Sequence, residues 1–261
     1  MLKRRLIPKL QLTAKSTYRG LKSVLVVTRQ FENRRAIGDP LSQAKIYEAQ
    51  LADELFLLNI QRTGESWDSM LDTLSSMSSA LATPLSVGGG IDSLEKVQIL
   101  LDRGADKVVL NTSAIESPYL IESVANRYGS QCVVVSIDFK RTANNHWSVL
   151  TQGGTHDVGL SVLEWSKKAT LLGAGELVLT SIDRDGTGLG LDLDLIKIVA
   201  NEVNVPVIAS GGCGLAEHFV NGYLAGASGV AAGTFFSQRD QNPMQCRSHI
   251  RNAGLPIRLA L

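Results

Sequence analysis

The feature that most constrains this chain is a match of the sequence to itself at one fixed spacing. Ala52-Asp53-Glu54-Leu55 is answered by Ala174-Gly175-Glu176-Leu177, Pro84 by Pro206, and Gly104-Ala105-Asp106 by Gly226-Ala227-Ser228, every pair 122 residues apart. One match could be chance, but three in register imply two similar halves. Each half holds four short runs rich in Val, Ile and Leu: Leu6 to Leu12, Glu54 to Ile60, Leu85 to Val87 and Lys107 to Asn111, then Cys132 to Ile137, Glu176 to Ile182, Val205 to Ala209 and Gly229 to Ala232. These runs are continuously apolar rather than alternating, as strands covered on both faces must be, which predicts a parallel sheet with crossover helices. Asp39-Pro40 opens one helix with a cap and a proline in its first turn, and the helix from Ser93 through Arg103 stops at Gly104. Two halves of four strand-helix units make a (β/α)8 TIM barrel with a twofold half-barrel repeat. The 261 residues form one domain, 1–261, with half-barrels of about 1–125 and 126–261. A doubly wound open sheet would not need the repeat.

Composition removes several function classes. Lys and Arg total 26 against 25 Asp and Glu, so the net charge of +1 supplies no field for nucleic acid or an anionic membrane. The three cysteines, Cys132, Cys213 and Cys246, form no C-x-x-C pair, and the four histidines show no ligand spacing, so neither a disulfide framework nor a metal site is expected, and no cofactor. No apolar run approaches 18 residues, and the basic start of the chain is not followed by the apolar stretch of a leader; a cytoplasmic protein is expected. The G-x-S-x-G elbow and the P-loop are both lacking.

What remains sits at the carboxyl ends of the predicted strands. Val87-Gly88-Gly89-Gly90 ends the third and Ser210-Gly211-Gly212-Cys213-Gly214 the seventh, while the fourth and eighth end in Asn111-Thr112-Ser113 and Ala232-Gly233-Thr234. Glycine lets backbone N–H groups approach a phosphate closely, so these clusters read as two phosphate cradles facing one another, Gly88, Gly89, Gly90, Asn111 and Thr112 in one half, Ser210, Gly211, Gly212, Gly214, Ala232 and Gly233 in the other. A ligand phosphorylated at both ends would fit. Asp138 ends the fifth strand, and Asp183 and Asp185 follow the sixth; carboxylates there face the substrate and can move protons.

Arg5-Leu6-Ile7-Pro8, Phe31-Glu32-Asn33, Gly38-Asp39-Pro40, Val87 to Ile91, Gly104 to Val108, Gly129-Ser130-Gln131, Lys140-Arg141, the string Thr180 to Thr187 and Ala209 to Gly212 together resemble the HisF family, the cyclase subunit of imidazole glycerol phosphate synthase, from about residue 4 onward. The resemblance implies a barrel that pairs with a HisH-like glutaminase, takes ammonia through its core and adds it to a bisphosphorylated substrate, with Asp138 and Asp185 as central carboxylates. It also implies an ammonia gate of Arg5, Glu54, Lys107 and Glu176 at the amino-terminal face, with Asp106 turned to the glutaminase. The chain departs from the pattern where the family has an Asp on its first strand: Gln11 stands there, a carboxamide that cannot shuttle protons. Asn59 replaces the second-strand Asp, and the segment from Thr13 to Phe31 is about eight residues longer than the family's catalytic loop. A kept gate with a lost catalytic carboxylate points to a paralogue that passes ammonia to a phosphorylated substrate or to a sugar amidotransferase of surface-polysaccharide synthesis. An authentic cyclase of histidine biosynthesis and a non-catalytic activator of the glutaminase are the alternatives.

Overall fold

A computed structural model describes residues 3–18, 20–61, 65–143, 146–238 and 240–257. In chain order the strands are β1 (Arg5–Thr17), β2 (Gly20–Arg29), β3 (Glu32–Gly38), β4 (Leu55–Asn59), β5 (Leu85–Gly88), β6 (Lys107–Leu110), β7 (Val133–Arg141), β8 (Trp147–Thr151), β9 (His156–Ser161), β10 (Glu176–Ser181), β11 (Val207–Ser210) and β12 (Gly229–Ala232). The helices are α1 (Pro40–Ala49), α2 (Glu65–Ala80), α3 (Leu94–Asp102), α4 (Thr112–Glu116), α5 (Tyr119–Tyr128), α6 (Val162–Leu171), α7 (Leu193–Glu202), α8 (Ala216–Leu224), α9 (Thr234–Gln238) and α10 (Pro243–Asn252).

Eight of the strands pair in parallel in the cyclic order β1, β4, β5, β6, β7, β10, β11, β12, and the ring closes where Arg5 of β1 stands beside Gly229 of β12. This is the (β/α)8 barrel. The expected helix signals operate: Asp39 accepts from the Ser42 N–H at 2.9 Å to cap α1, and Ser93 caps α3, which ends before Gly104. Residue 125, near the expected junction of the half-barrels, lies within α5, which is capped by Gly129.

The sequence reading counted eight strands, and the structure adds four. β1 runs past the barrel rim to pair antiparallel with β2, and β2 with β3, so the long segment after Thr13 is a sheet extension rather than a loop. β7 extends in the same way into β8 and β9. Both extensions rise from first strands of their half-barrels and flank the mouth.

Alternation along the barrel strands sorts the side chains into layers. On β1, Leu6, Leu10 and Leu12 face the helices, in the large core between barrel and helix ring. Arg5, Ile7, Lys9 and Gln11 point to the axis. Ile7 joins Phe56, Val109, Val134, Val178, Ile208 and Ala231 in a separate apolar layer inside the barrel, with Leu58 packed against it. That disc separates a charged floor at the amino-terminal face from a polar mouth at the carboxyl-terminal face.

Candidate functional site: a charged floor and a polar mouth

At the floor, Arg5, Glu54, Lys107 and Glu176 converge from β1, the residue before β4, β6 and β10. Arg5 Nη1 lies 2.6 Å from Glu54 Oε2, and Nη2 pairs with Glu176 Oε1. Lys107 Nζ lies 3.2 Å from Glu54 Oε1 and 3.0 Å from Glu176 Oε2, which closes a ring of alternating sign. Ser86 donates to Glu54 Oε1 at 2.6 Å. Burial works against the Arg5 charge, but Glu176 and Glu54 outweigh it and hold the guanidinium above its ordinary pKa. All four residues expected in the ring are brought together. Asp106 is exposed beside it, and its carboxylate accepts from the Leu85 N–H at 2.8 Å, clamping the start of β5 as Asp53 clamps Leu6.

At the mouth lies a cavity of about 620 Å³, lined among others by Lys9, Gln11, Asn59, Asn111 and Asp138. Asp138 is buried, and its Oδ2 accepts from Asn111 Nδ2 at 2.8 Å. Burial pushes its carboxyl up to about 6 against the opposing effects of the Asn111 hydrogen bond and the Lys9 charge; Asp185 adds to the rise. Asp185 Oδ2 accepts from Thr28 Oγ1 at 2.7 Å, and the Gln11 carboxamide oxygen lies 3.4 Å from the same hydroxyl. Gln11, Asp138 and Asp185 are thus gathered at one end of the barrel, as the sequence placed them. Asp183 is exposed and accepts from the Arg141 N–H at 2.9 Å, a turn-holding role rather than an acid-base one.

The two cradles are not equivalent. Gly89, Gly90, Asn111 and Thr112 line the cavity, and Gly89 (φ 103°) leaves no room for a Cβ beside the Asn59 carbonyl. Gly88 is not among the residues lining this cavity, and a Cβ there would stand 2.8 Å from that of Val109. In the other half, Ser210, Gly211, Gly212, Gly214, Ala232 and Gly233 are not among the residues lining this cavity. The Gly190 N–H donates to the Gly212 carbonyl at 2.8 Å, and the Gly214 N–H is already given to His218 Nδ1 at 3.0 Å. The Gly214 N–H is thus engaged within its own turn.

Six further residues contribute to the mouth that the sequence did not assign to it. Lys9 is 8% exposed and donates to Ser210 Oγ at 3.1 Å, with Asp185 Oδ1 at 3.9 Å. Its position two residues from both Ile7 and Gln11 was the available signal. Trp67 lines the cavity, with Lys96 Nζ 5.3 Å from its ring centroid. Thr28 and Phe31 reach the mouth from the first hairpin, and Gln152 and Gly153 from the second. Among the described residues no cluster of His, Cys, Asp and Glu could hold a metal ion, and no helix is long and apolar enough to cross a membrane.

A closed parallel barrel with a salt-bridged floor, an apolar interior and a glycine-edged polar mouth defines the class: a (β/α)8 barrel with its candidate site at the carboxyl ends of the strands. The model of the family described as "Histidine biosynthesis protein" matches residues 6–241. A Prochlorococcus marinus (strain MIT 9313) protein named for imidazole glycerol phosphate synthase subunit hisF2 is 66% identical over 259 residues, covering 99% of each chain. Imidazole glycerol phosphate synthase subunit HisF of Exiguobacterium sibiricum is 42% identical over 99% of this chain and 100% of its own, and that of Gluconacetobacter diazotrophicus 40% over 99% and 97%. The chain belongs to the HisF family of imidazole glycerol phosphate synthase subunits.

Proposed function

We propose that this barrel is the ammonia-accepting subunit of a glutamine amidotransferase pair, receiving ammonia from a HisH-like glutaminase at its floor and delivering it at its mouth to a phosphorylated acceptor or to a sugar amidotransferase. The observation that carries the reading is the contrast between a complete four-residue floor ring and a mouth in which Gln11 faces the carboxylates. The apolar layer above the ring disfavours any ion, so what crosses it is neutral ammonia rather than ammonium. At the far side Asp138, with its carboxyl near 6, is suited to take or give a proton close to neutrality. Gln11 can hold a hydrogen bond but cannot relay the proton. Asp106, exposed beside the ring, serves the glutaminase contact in this reading.

A second reading, cyclisation of the bisphosphorylated ribonucleotide as the names of the relatives suggest, is favoured by Asp138 and Asp185 standing together at the mouth. The two readings part in one assay. With the cognate glutaminase, or with ammonium salt, turnover of the cyclase substrate is expected to be at least about a hundredfold below that of an Asp-bearing relative, because loss of a general acid-base group costs about 10²- to 10⁴-fold. Gln11→Asp is expected to recover part of it. A parent rate within about threefold of the relative's would establish the cyclase reading and remove the first.

A further inference from the structure

Lys9 is a charged residue in a layer that is otherwise small and uncharged. Its axis-facing neighbours at the same height are Ser136, Thr180 and Ser210, with Asn111 at the rim and the apolar disc of Ile7, Phe56 and Val109 below. An ammonium that is 8% exposed needs compensation, and what the protein gives it is incomplete. Of its three donors one reaches Ser210 Oγ at 3.1 Å; the nearest carboxylate oxygen, on Asp185, is 3.9 Å away, beyond hydrogen-bond distance. Asp185 is itself engaged, its other oxygen accepting from Thr28 at 2.7 Å. Asp138 Oδ2 accepts from Asn111 Nδ2. Lys9 also lines the 620 Å³ cavity, so its remaining donors have access to whatever occupies the mouth. Its methylene chain passes 3.8 Å from where a side chain on Gly233 would start, which keeps the amine on the side of the second half-barrel.

The geometry points to Lys9 as a substrate-binding and specificity-determining residue that grips an anionic oxygen, of a phosphate or a carboxylate, at the barrel axis beside Ser210. A strongly hydrated point charge with free donors, brought into a partly dry cavity, selects for an anion that replaces its water. Lys9 thereby assigns one end of the acceptor to the second half-barrel, whose glycine segment is set back from the cavity, while the Gly89 to Thr112 edge holds the other. This rests on the reading of the mouth as an acceptor site and is independent of whether a glutaminase docks at the floor.

The test is titration of the full chain with inorganic phosphate, and separately with acetate, at constant ionic strength. Calorimetry should show binding of one or both anions to the parent, weakened at least tenfold in Lys9→Gln and restored in Lys9→Arg. Weakening of less than threefold would overturn the assignment. Should Lys9→Gln fail to fold, the Lys9 Cε resonance of the lysine-labelled parent, identified by its absence from Lys9→Arg, decides the matter: a saturable shift is expected, and an unmoved resonance with both anions overturns the proposal. A response to phosphate alone identifies a phosphoryl group, and a response to acetate a carboxylate. Failure of glutamine-dependent transfer with anion binding intact would count against the functional reading and leave Lys9 as assigned.

Discussion

The two ends of the barrel hold comparable numbers of ionisable groups in opposite ways. At the floor two cations and two anions neutralise one another in a closed ring, each held by two neighbours. At the mouth Lys9, Asp138 and Asp185 are each held by a separate hydrogen bond, to Ser210, Asn111 and Thr28, the last on a hairpin added to the barrel. Loss of any member of the closed ring leaves a net buried charge with half its compensation gone, whereas separate single bonds can exchange one member and keep the rest. The difference teaches why Gln11 can stand at the mouth while the floor is complete: the mouth can change its chemistry at small cost to folding.

The comparison is broken most directly at Glu54, which is 3% exposed and touches Arg5, Lys107 and Ser86. Glu54→Ala leaves two cations sharing Glu176 alone and is expected to cost about 3 kcal/mol, read by urea denaturation, the lower end of the range for breaking a buried pair because Arg5 and Lys107 keep some solvent. A loss below about 1 kcal/mol would put floor and mouth on the same footing. At the mouth the expectation has the opposite sign. The Asp138 carboxyl is raised by burial from 3.8 to about 6, so the unfolded chain gives up this proton at lower pH than the folded one. Its contribution is neutral below about pH 4 and becomes destabilising as pH rises through the window from 4 to 6. Asp138→Asn is therefore expected to gain about 2 kcal/mol at pH 7 relative to its effect at pH 4, while abolishing proton transfer. A pH-independent difference between the two proteins would show that Asp138 is not held neutral by its surroundings. The smallest effect is at Asp106. Asp106→Ala removes the clamp on the Leu85 N–H and should cost about 1 kcal/mol, and Asp106→Asn should keep the clamp and lose only the charge. If the charge serves the glutaminase, both variants weaken its binding in a pull-down titration; if only the clamp matters, Asp106→Asn binds as the parent does.

The barrel was legible because its strongest signals are repetitive: parallel strands buried on both faces read as unbroken apolar runs, and the 122-residue repeat set their number. The floor ring was legible through the family resemblance, and the repeat adds only that Glu54 and Glu176 are equivalent. The hairpins were not, because Gly20–Gly38 carries exposed charges such as Lys22, Arg34 and Arg35 that look like a loop when pairing partners are unknown. In the second hairpin the Gly153-Gly154 turn between Trp147–Thr151 and His156–Ser161 was a usable signal. Lys9 was hidden by its company: within Leu6 to Leu12 a single lysine looks like an interruption of the strand, and only the alternation of sides shows that it faces the axis. The inequality of the cradles depends on how residues 184–191 lie against Gly212 and His218, which spacing does not encode.

The first hairpin belongs by sequence to one half-barrel, yet its tip is fastened to the other. The Gln30 N–H donates to the Asp185 carbonyl at 2.9 Å, Gln30 Nε2 to the Asp183 carbonyl at 2.9 Å, and Thr28 to the Asp185 side chain. The duplicated halves are thus sewn together over the top as well as along their seams at β1 with β12 and β6 with β7. Were the chain severed at Gly129 and the pieces produced apart, the amino-terminal piece would carry a ready-made clasp for its sibling, and the carboxyl-terminal piece would return a smaller one, the Gln152 N–H that donates to Thr112 Oγ1 at 3.1 Å.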